Sequence, residues 1–370
     1  MSVLHYLFHK KIYIKKDIRA NIFKILCLPI LQIRYRREEI QVRILGITLF
    51  KKKIIKHAFP ITINNADFQQ IALDNSVLLD ELKKMDGFTY IPNPGNLGDI
   101  LIAAATISFF KENHLNFSLY AEQKEGKNIV FGGGGGWAWL KAKPNGLERF
   151  FKLFKNAEKV IILPSSFYQC DKFIDLLDEK FTLFCREKSS FDYLKSKNLK
   201  SKVILDHDMA FRMSPNILKE QLFLSNYDLN ILKEIQNKLN NINKAPKFLR
   251  QDDESINHSG TDLDLSRCMG LSENSSEKHI LSWGKLMLCI VDTFDTIITD
   301  RLHVGVAALL MGKNIFWLDN SYKKVSGIYQ QTLKNHPNIH FTNHIPNAIS
   351  LSKIKKKSLD IIIENVEVLS

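Results

Sequence analysis

Residues 297–327, IITDRLHVGVAALLMGKNIFWLDNSYKKVSG, constrain the fold more than any other stretch of the chain. A short apolar run ends in Asp300-Arg301-Leu302-His303, an apolar helix-like run follows at once, and a second β-rich run reaches Leu318. The pattern is a strand, a helix and a strand with its polar groups gathered at one edge. A strand that delivers an arginine and a histidine to a helix start makes an anion site with a proton donor beside it. The structural alternative is that Asp300 caps the helix and Arg301 pairs with a surface carboxylate.

The same design recurs upstream. Arg186 follows the apolar run 181–185 and Arg250 follows 247–249, so three arginines each stand just past a short strand-like run. Ligands of open α/β sheets bind outside the carboxyl ends of strands, where such residues converge. Further units start at 88–91, which leads through a turn-rich loop to Asp99 and an apolar helix, and at 128–131, which leads into five glycines. Residues 160–163 run into Pro164-Ser165-Ser166, and 203–205 into Asp206-His207-Asp208. Short strands alternating with helices predict parallel, doubly wound sheets.

At 370 residues the chain exceeds the roughly 250–300 residues that one core usually serves. The expected class is therefore α/β, with two doubly wound Rossmann-like domains facing a cleft and a basic N-terminal arm. The expected boundaries are a basic amphipathic arm at 1–60, an N-terminal domain at 61–214 and a bridging helix at 215–246. A C-terminal domain at 247–345 and a C-terminal helix or tail at 346–370 complete the chain. Residues 64–86 have helical periodicity, and the polar stretch 251–279 reads as a mobile insertion near the cleft.

Net charge is +13, and most of it lies at the start: residues 1–60 hold fourteen Lys or Arg against three acids. Aliphatics such as Ile18, Ile22, Leu26 and Ile30 lie between those bases, which suits a helix resting on an anionic membrane surface through residues 1–56. Nucleic acid is the less favoured partner, because the stretch has few aromatic platforms on which bases could stack. A solvated Lys-rich face is the structural alternative. No run approaches the roughly 20 apolar residues of a spanning helix, and no secretory signal is evident. Five cysteines, an odd number with no paired spacing, read as reduced thiols. A cytoplasmic location follows, with peripheral attachment at the inner membrane face where the arm engages it.

Chemistry-bearing residues cluster in a few places. In NPGNLGD, residues 93–99, the amides with Asn96, Gly98 and Asp99 form a candidate sugar or phosphate contact, although a tight strand-to-helix turn with an Asp cap explains the motif too. The run Gly132 to Gly136 gives up so much conformational entropy that a bound ligand is its natural purpose, a flexible hinge being the alternative. Gly133 and Gly134 are its candidate contacts. His303 sits between Arg301 and a helix start, where cation and helix dipole both favour an anion. His207, between two aspartates, is a second candidate acid. No metal-ligand spacing occurs, so metal-free chemistry is expected, and no GxSxG elbow occurs either.

The segments NPGNLGDILI, FGGGGG, FCREKSS, LDHDMAF, FLRQDDES and FDTIITDRLHVGVAALLMGKNIFWLDNSYKKVSGIY, in that order, resemble the polysaccharide pyruvyl transferase family over residues 88–330. The resemblance implies a fold like that of GT-B glycosyltransferases, no cofactor, phosphoenolpyruvate as co-substrate, and a sugar of a surface polysaccharide or of its lipid-linked precursor as acceptor. Carried over, Arg301, Leu302 and His303 fall on the family's donor-binding and catalytic motif, with His303 and Arg301 as catalytic residues. Arg186, Arg250, Leu302 and Lys324 make up the expected donor set, because arginines grip carboxylate and phosphate bidentately. A GT-B glycosyltransferase using a nucleotide sugar is the alternative enzyme. A non-catalytic glycan- or lipid-binding protein is the alternative of another class.

Overall fold

The basic N-terminal stretch forms a sheet, which corrects the amphipathic helix expected of it. The computed structural model describes residues 13–17, 20–25, 28–36, 39–44, 47–53, 76–122, 126–138, 148–252, 255, 260–320 and 323–346. Strands β1 (Tyr13–Asp17), β2 (Ala20–Ile25), β3 (Leu28–Arg36), β4 (Glu39–Ile44) and β5 (Ile47–Lys53) pair in chain order, every pair antiparallel. The cause is a repeat of two. In β4 Ile40, Val42 and Ile44 alternate with Gln41 and Arg43, and in β3 Leu31, Ile33 and Tyr35 alternate with Gln32, Arg34 and Arg36. Alternation with β-branched residues suits a pleated strand and would scatter the aliphatics around a helix. These strands belong to one compact unit, Met1–Phe59; all elements that follow belong to a second, Pro60–Ser370.

The second unit starts with α1 (Ser76–Lys83), part of the helix expected over 64–86; residues 64–75 lie outside the described residues. Next come β6 (Phe88–Ile91), the two-residue β7 (Gly95–Asn96), α2 (Leu97–Glu112), β8 (Phe117–Leu119) and β9 (Asn128–Phe131). After them stand α3 (Glu148–Asn156), β10 (Lys159–Ser165), β11 (Phe181–Cys185), α4 (Lys188–Lys195) and β12 (Lys202–Leu205). Six of these strands make a parallel sheet in the order β12-β11-β10-β9-β6-β8. The order reverses between β6 and β9, and such a reversal leaves a crevice at the carboxyl ends of the two strands, because their connections depart to opposite faces. The proline-rich loop after β6 and the five glycines after β9 leave the sheet there.

The rest of the unit holds α5 (Asn226–Leu239), β13 (Lys247–Phe248), β14 (Gly270–Leu271), α6 (Glu277–Asp292), β15 (Thr296–Thr299), α7 (Leu302–Leu310), β16 (Asn314–Trp317), α8 (Lys324–Ile328) and β17 (Ile339–Phe341). A second parallel sheet runs β13-β15-β16-β17. The α/β reading with parallel sheets therefore holds, but this sheet runs one way without reversal. That corrects its expected double winding. Residues 347–370 lie outside the described residues.

Helix α2 joins the two series. Every residue from Leu97 to Phe110 except Asp99 is buried, as a helix apolar on all sides must be. Against it lies α6, so close that a Cβ at Gly284 would stand 2.4 Å from the Ala104 Cβ. At the start of α2, β7 pairs with β14, Asn96 opposite Gly270. The stretch expected to be a mobile insertion is tied down over its described part. The Lys247 amide donates to Asp262 Oδ2 at 2.8 Å and the Leu249 amide to Thr261 Oγ1 at 3.0 Å, which satisfies the edge of β13.

Candidate active site

The crevice between β6 and β9 is built from backbone. Asn96 caps α2, its Oδ1 accepting the Gly98 amide at 2.8 Å, while Asp99 Oδ2 accepts the Asn96 amide at 2.8 Å. Thus the Asn-Asp pair of NPGNLGD is a capping box that fixes the loop. The glycine run is held as well: the Gly132 amide donates to Ile91 O at 2.8 Å, Gly134 N to Pro164 O at 3.1 Å, and Asn93 Nδ2 to Gly133 O at 3.2 Å. Gly134 has φ +124°, a conformation that L side chains avoid. A Cβ at Gly135 would lie 2.7 Å from Lys324 Nζ and 3.7 Å from Arg186 Nη2. The bare backbone is what lets the lysine ammonium approach so closely, with the Arg186 guanidinium in ordinary contact beside it.

Arg186 is the first residue past β11, and Asp208 lies just past β12. Nη1 of the buried arginine donates to Asp208 Oδ2 at 2.7 Å and its Nε to Ser166 Oγ at 2.8 Å, with Glu187 Oε2 3.5 Å from Nε. The same Asp208 Oδ2 lies 3.4 Å from His303 Nε2, and Oδ1 accepts the Ala210 amide at 2.9 Å. Burial opposes ionisation of Asp208, but the hydrogen bond and charge of His303, the charge of Arg186 and the Ala210 amide hold its carboxyl well below the usual range. Burial instead raises Glu187, against the charge of Arg186 and the hydroxyls of Ser190 and Ser166. Burial likewise raises Asp99, against the charge of His303, the Asn96 amide and the charges of Lys324 and Arg186. His303 also presses on the start of α2, where a Cβ at Gly98 would stand 2.8 Å from Nδ1.

The RLH turn divides its side chains. Arg301 is the N-cap of α7, Leu302 its first residue and His303 its second, and positions two apart on a helix point to different sides. His303 reaches the Arg186–Asp208 pair. Arg301, 4% exposed, donates through Nε to Asp264 Oδ1 at 2.9 Å and through Nη2 to Asp264 Oδ2, and its Nη2 stands 2.9 Å from Asp252 Oδ2. Arg250 shares that partner, with Nε donating to Asp252 Oδ1 at 2.8 Å. The two arginines thus gather with each other around Asp252, while Arg186 gathers with His303 around Asp208. Leu302 is buried. Asp300 Oδ1 accepts the Arg250 amide at 2.8 Å while its buried Oδ2 has no hydrogen-bond partner among the described residues; burial pushes this carboxyl up to about 6, against the Arg250 amide and the charges of Arg250 and Arg301.

Asn96, Gly98, Asp99, Gly133, Gly134, Arg186, His303 and Lys324 all fall around the first-sheet crevice. His207 is turned aside: Nδ1 lies 2.9 Å from Thr332 Oγ1, and burial pushes its imidazole below the usual value. Sequence reasoning missed Asp208, Ser166, Glu187, Asp252 and Asp264. The signal for Asp208 was its place in the short acidic loop past β12, the strand paired with the one that leads to Arg186. A groove of about 440 Å³ lined by Tyr227, Lys238, Gln251, Asp264 and Arg267, among others, includes none of Arg186, Asp208, His303 and Lys324. Among the described residues no cluster of three or more His, Cys, Asp or Glu could hold a metal ion.

EpsO of Bacillus subtilis (strain 168), which carries the name of a pyruvyl transferase, is 25% identical over 302 residues, covering 73% of this chain and 92% of that protein. A functionally uncharacterised protein of Klebsiella pneumoniae subsp. pneumoniae NTUH-K2044, known from its crystal structure, is 30% identical with a TM-score of 0.58, covering 74% of this chain and 99% of that one. Residues 96–322, from the cap of α2 to just before α8, match the family model described as polysaccharide pyruvyl transferase, and the chain belongs to that family.

Proposed function

We propose that this polysaccharide pyruvyl transferase takes its pyruvyl group from phosphoenolpyruvate and leaves it as a ketal on a sugar of a surface polysaccharide or its lipid-linked precursor. The observation that carries the reading is the convergence of Arg186, Lys324 and His303 at a glycine-lined sheet edge, with Asp208 shared between arginine and histidine. A donor carrying a carboxylate and a phosphate needs several cations in a site closed to bulk water. His303 delivers a proton to the donor methylene carbon, which becomes the methyl group and leaves an oxocarbenium-like centre. A sugar hydroxyl adds to that centre and passes its proton to a nearby carboxylate, for which Asp99 stands beside His303. A second hydroxyl of the same sugar then replaces phosphate at that carbon, closing the ketal ring, and its proton leaves with the departing phosphate. Asp208 supports the imidazolium before the transfer, and Arg186 with Lys324 holds the departing phosphate. Arg250 and Arg301 supply further donor contacts.

Incubation with phosphoenolpyruvate and candidate free or lipid-linked saccharides should release inorganic phosphate, and His303→Ala should abolish the release while donor binding persists. A melting-temperature rise with nucleotide sugars but none with phosphoenolpyruvate would overturn the donor assignment.

The basic sheet supports a second element of the proposal, contact with the anionic inner face of the membrane where a lipid-linked acceptor would reside. Its register pairs Arg34 with Gln41, Gln41 with Lys51, and Gln32 with Arg43, so polar and basic positions share rows across the strands. Among the described residues no helix is long and apolar enough to cross a membrane.

A further inference from the structure

One carboxylate beside the RLH turn spans two guanidinium groups. Asp252 Oδ1 accepts Arg250 Nε at 2.8 Å, Oδ2 accepts Arg250 Nη2 at 3.3 Å, and the same Oδ2 stands 2.9 Å from Arg301 Nη2. The far side of Arg301 is held by Asp264 through Nε at 2.9 Å. These two carboxylates differ in kind. The Asp264 side chain is 3% exposed and also accepts the Gln251 amide at 3.0 Å, whereas the Asp252 side chain is 32% exposed. Asp264 is walled in and anchors its arginine; Asp252 has water to withdraw into.

Two guanidiniums closing on one small planar anion is the arrangement that a carboxylate or phosphate ligand would itself require. We propose that Asp252 is the resident counter-ion of the paired Arg250 and Arg301 guanidiniums, exchanged for an oxyanion of the ligand on binding. That these two arginines contact phosphoenolpyruvate rests on the function proposed above; the exchange is read from the Asp252 bridge. While Asp252 occupies the place, the binding-competent fraction is reduced, and apparent affinity falls by that fraction. A weakly held monoanion is then excluded, whereas a donor offering carboxylate and phosphate together displaces the aspartate. Asp264 keeps Arg301 in position throughout the exchange.

The test uses the full chain with Asp252→Asn, which retains the shape but removes the charge, and with Asp252→Ser as a second variant. Inorganic phosphate is the first probe, followed by melting temperature, and phosphoenolpyruvate the second, followed by KM for phosphate release. Both variants should bind inorganic phosphate about tenfold more tightly and lower KM on the order of tenfold, the worth of one charge-assisted contact. Asp264→Asn should shift both in the opposite direction. Unchanged or weaker phosphate binding by the folded Asp252 variants would overturn the proposal, showing that Asp252 only positions the arginines. Tighter phosphate binding with no turnover of phosphoenolpyruvate by any form would leave the exchange standing and sink the donor assignment instead.

Discussion

A buried carboxylate held between a guanidinium and an imidazole alters both partners, and Asp208 is placed that way. Removing its charge leaves Arg186 desolvated with Glu187 as its remaining counter-ion, a loss of about 3–5 kcal/mol when buried pairs are broken. Asp208→Asn should accordingly unfold in less denaturant and turn over at least about 10²-fold more slowly, since the imidazolium and the anion clamp both weaken. The pH dependence has a definite sign. The Asp208 carboxyl is depressed in the folded state, so its contribution is complete above the unfolded value of 3.8 and is lost as pH falls toward the folded one. The stability gap between the native protein and Asp208→Asn should therefore be widest at neutral pH and shrink below about pH 4. A gap that stays constant down to pH 2 would show that Asp208 acts through shape alone.

At the scale of elements, the β-α units were legible because short apolar runs bounded by glycine, proline and acidic turns have few other uses in a chain of this size. So was the gathering of Arg186, His303 and the glycine run at strand ends. The partition of the RLH turn was hidden, because it depends on which way an N-cap and the second helical residue point and on Asp264, 37 positions away. The N-terminal sheet is masked by its composition: bases mixed with aliphatics suit an amphipathic surface helix equally, and only the repeat of two in Ile40, Val42 and Ile44 marks strands. The α2–α6 contact shows a competition that only packing decides. Alanine in place of Gly284 gains about 1 kcal/mol of helix propensity, but a Cβ there meets the Ala104 Cβ at 2.4 Å, and overpacking costs about 1–3 kcal/mol. Gly284→Ala should be mildly destabilising in chemical denaturation and Gly284→Val distinctly more so. A stabilised Gly284→Ala protein would mean that the two helices part without cost.

Across the whole molecule, charge is divided unevenly between the two units. Residues 1–60 carry fourteen bases and three acids, and the remaining 310 residues carry 38 bases and 36 acids, close to neutral. Any long-range attraction to an anionic surface must therefore come from the N-terminal unit. Each Lys or Arg brought near such a surface contributes about 1 kcal/mol at physiological ionic strength, so a handful is enough for reversible attachment. Contact of this kind weakens as salt shortens the Debye length from about 10 Å at 0.1 M to about 3 Å at 1 M. The full chain should co-sediment with vesicles rich in anionic lipid at low salt, leave them at high salt, and ignore neutral vesicles. Replacing Arg34, Arg36 and Arg43 by Gln should lower the salt concentration at which it leaves anionic vesicles while turnover of a soluble saccharide acceptor persists, because these residues belong to a unit separate from the one that holds Arg186 and His303. Sedimentation that survives both the substitutions and high salt would transfer the membrane contact to apolar surface and end the electrostatic account.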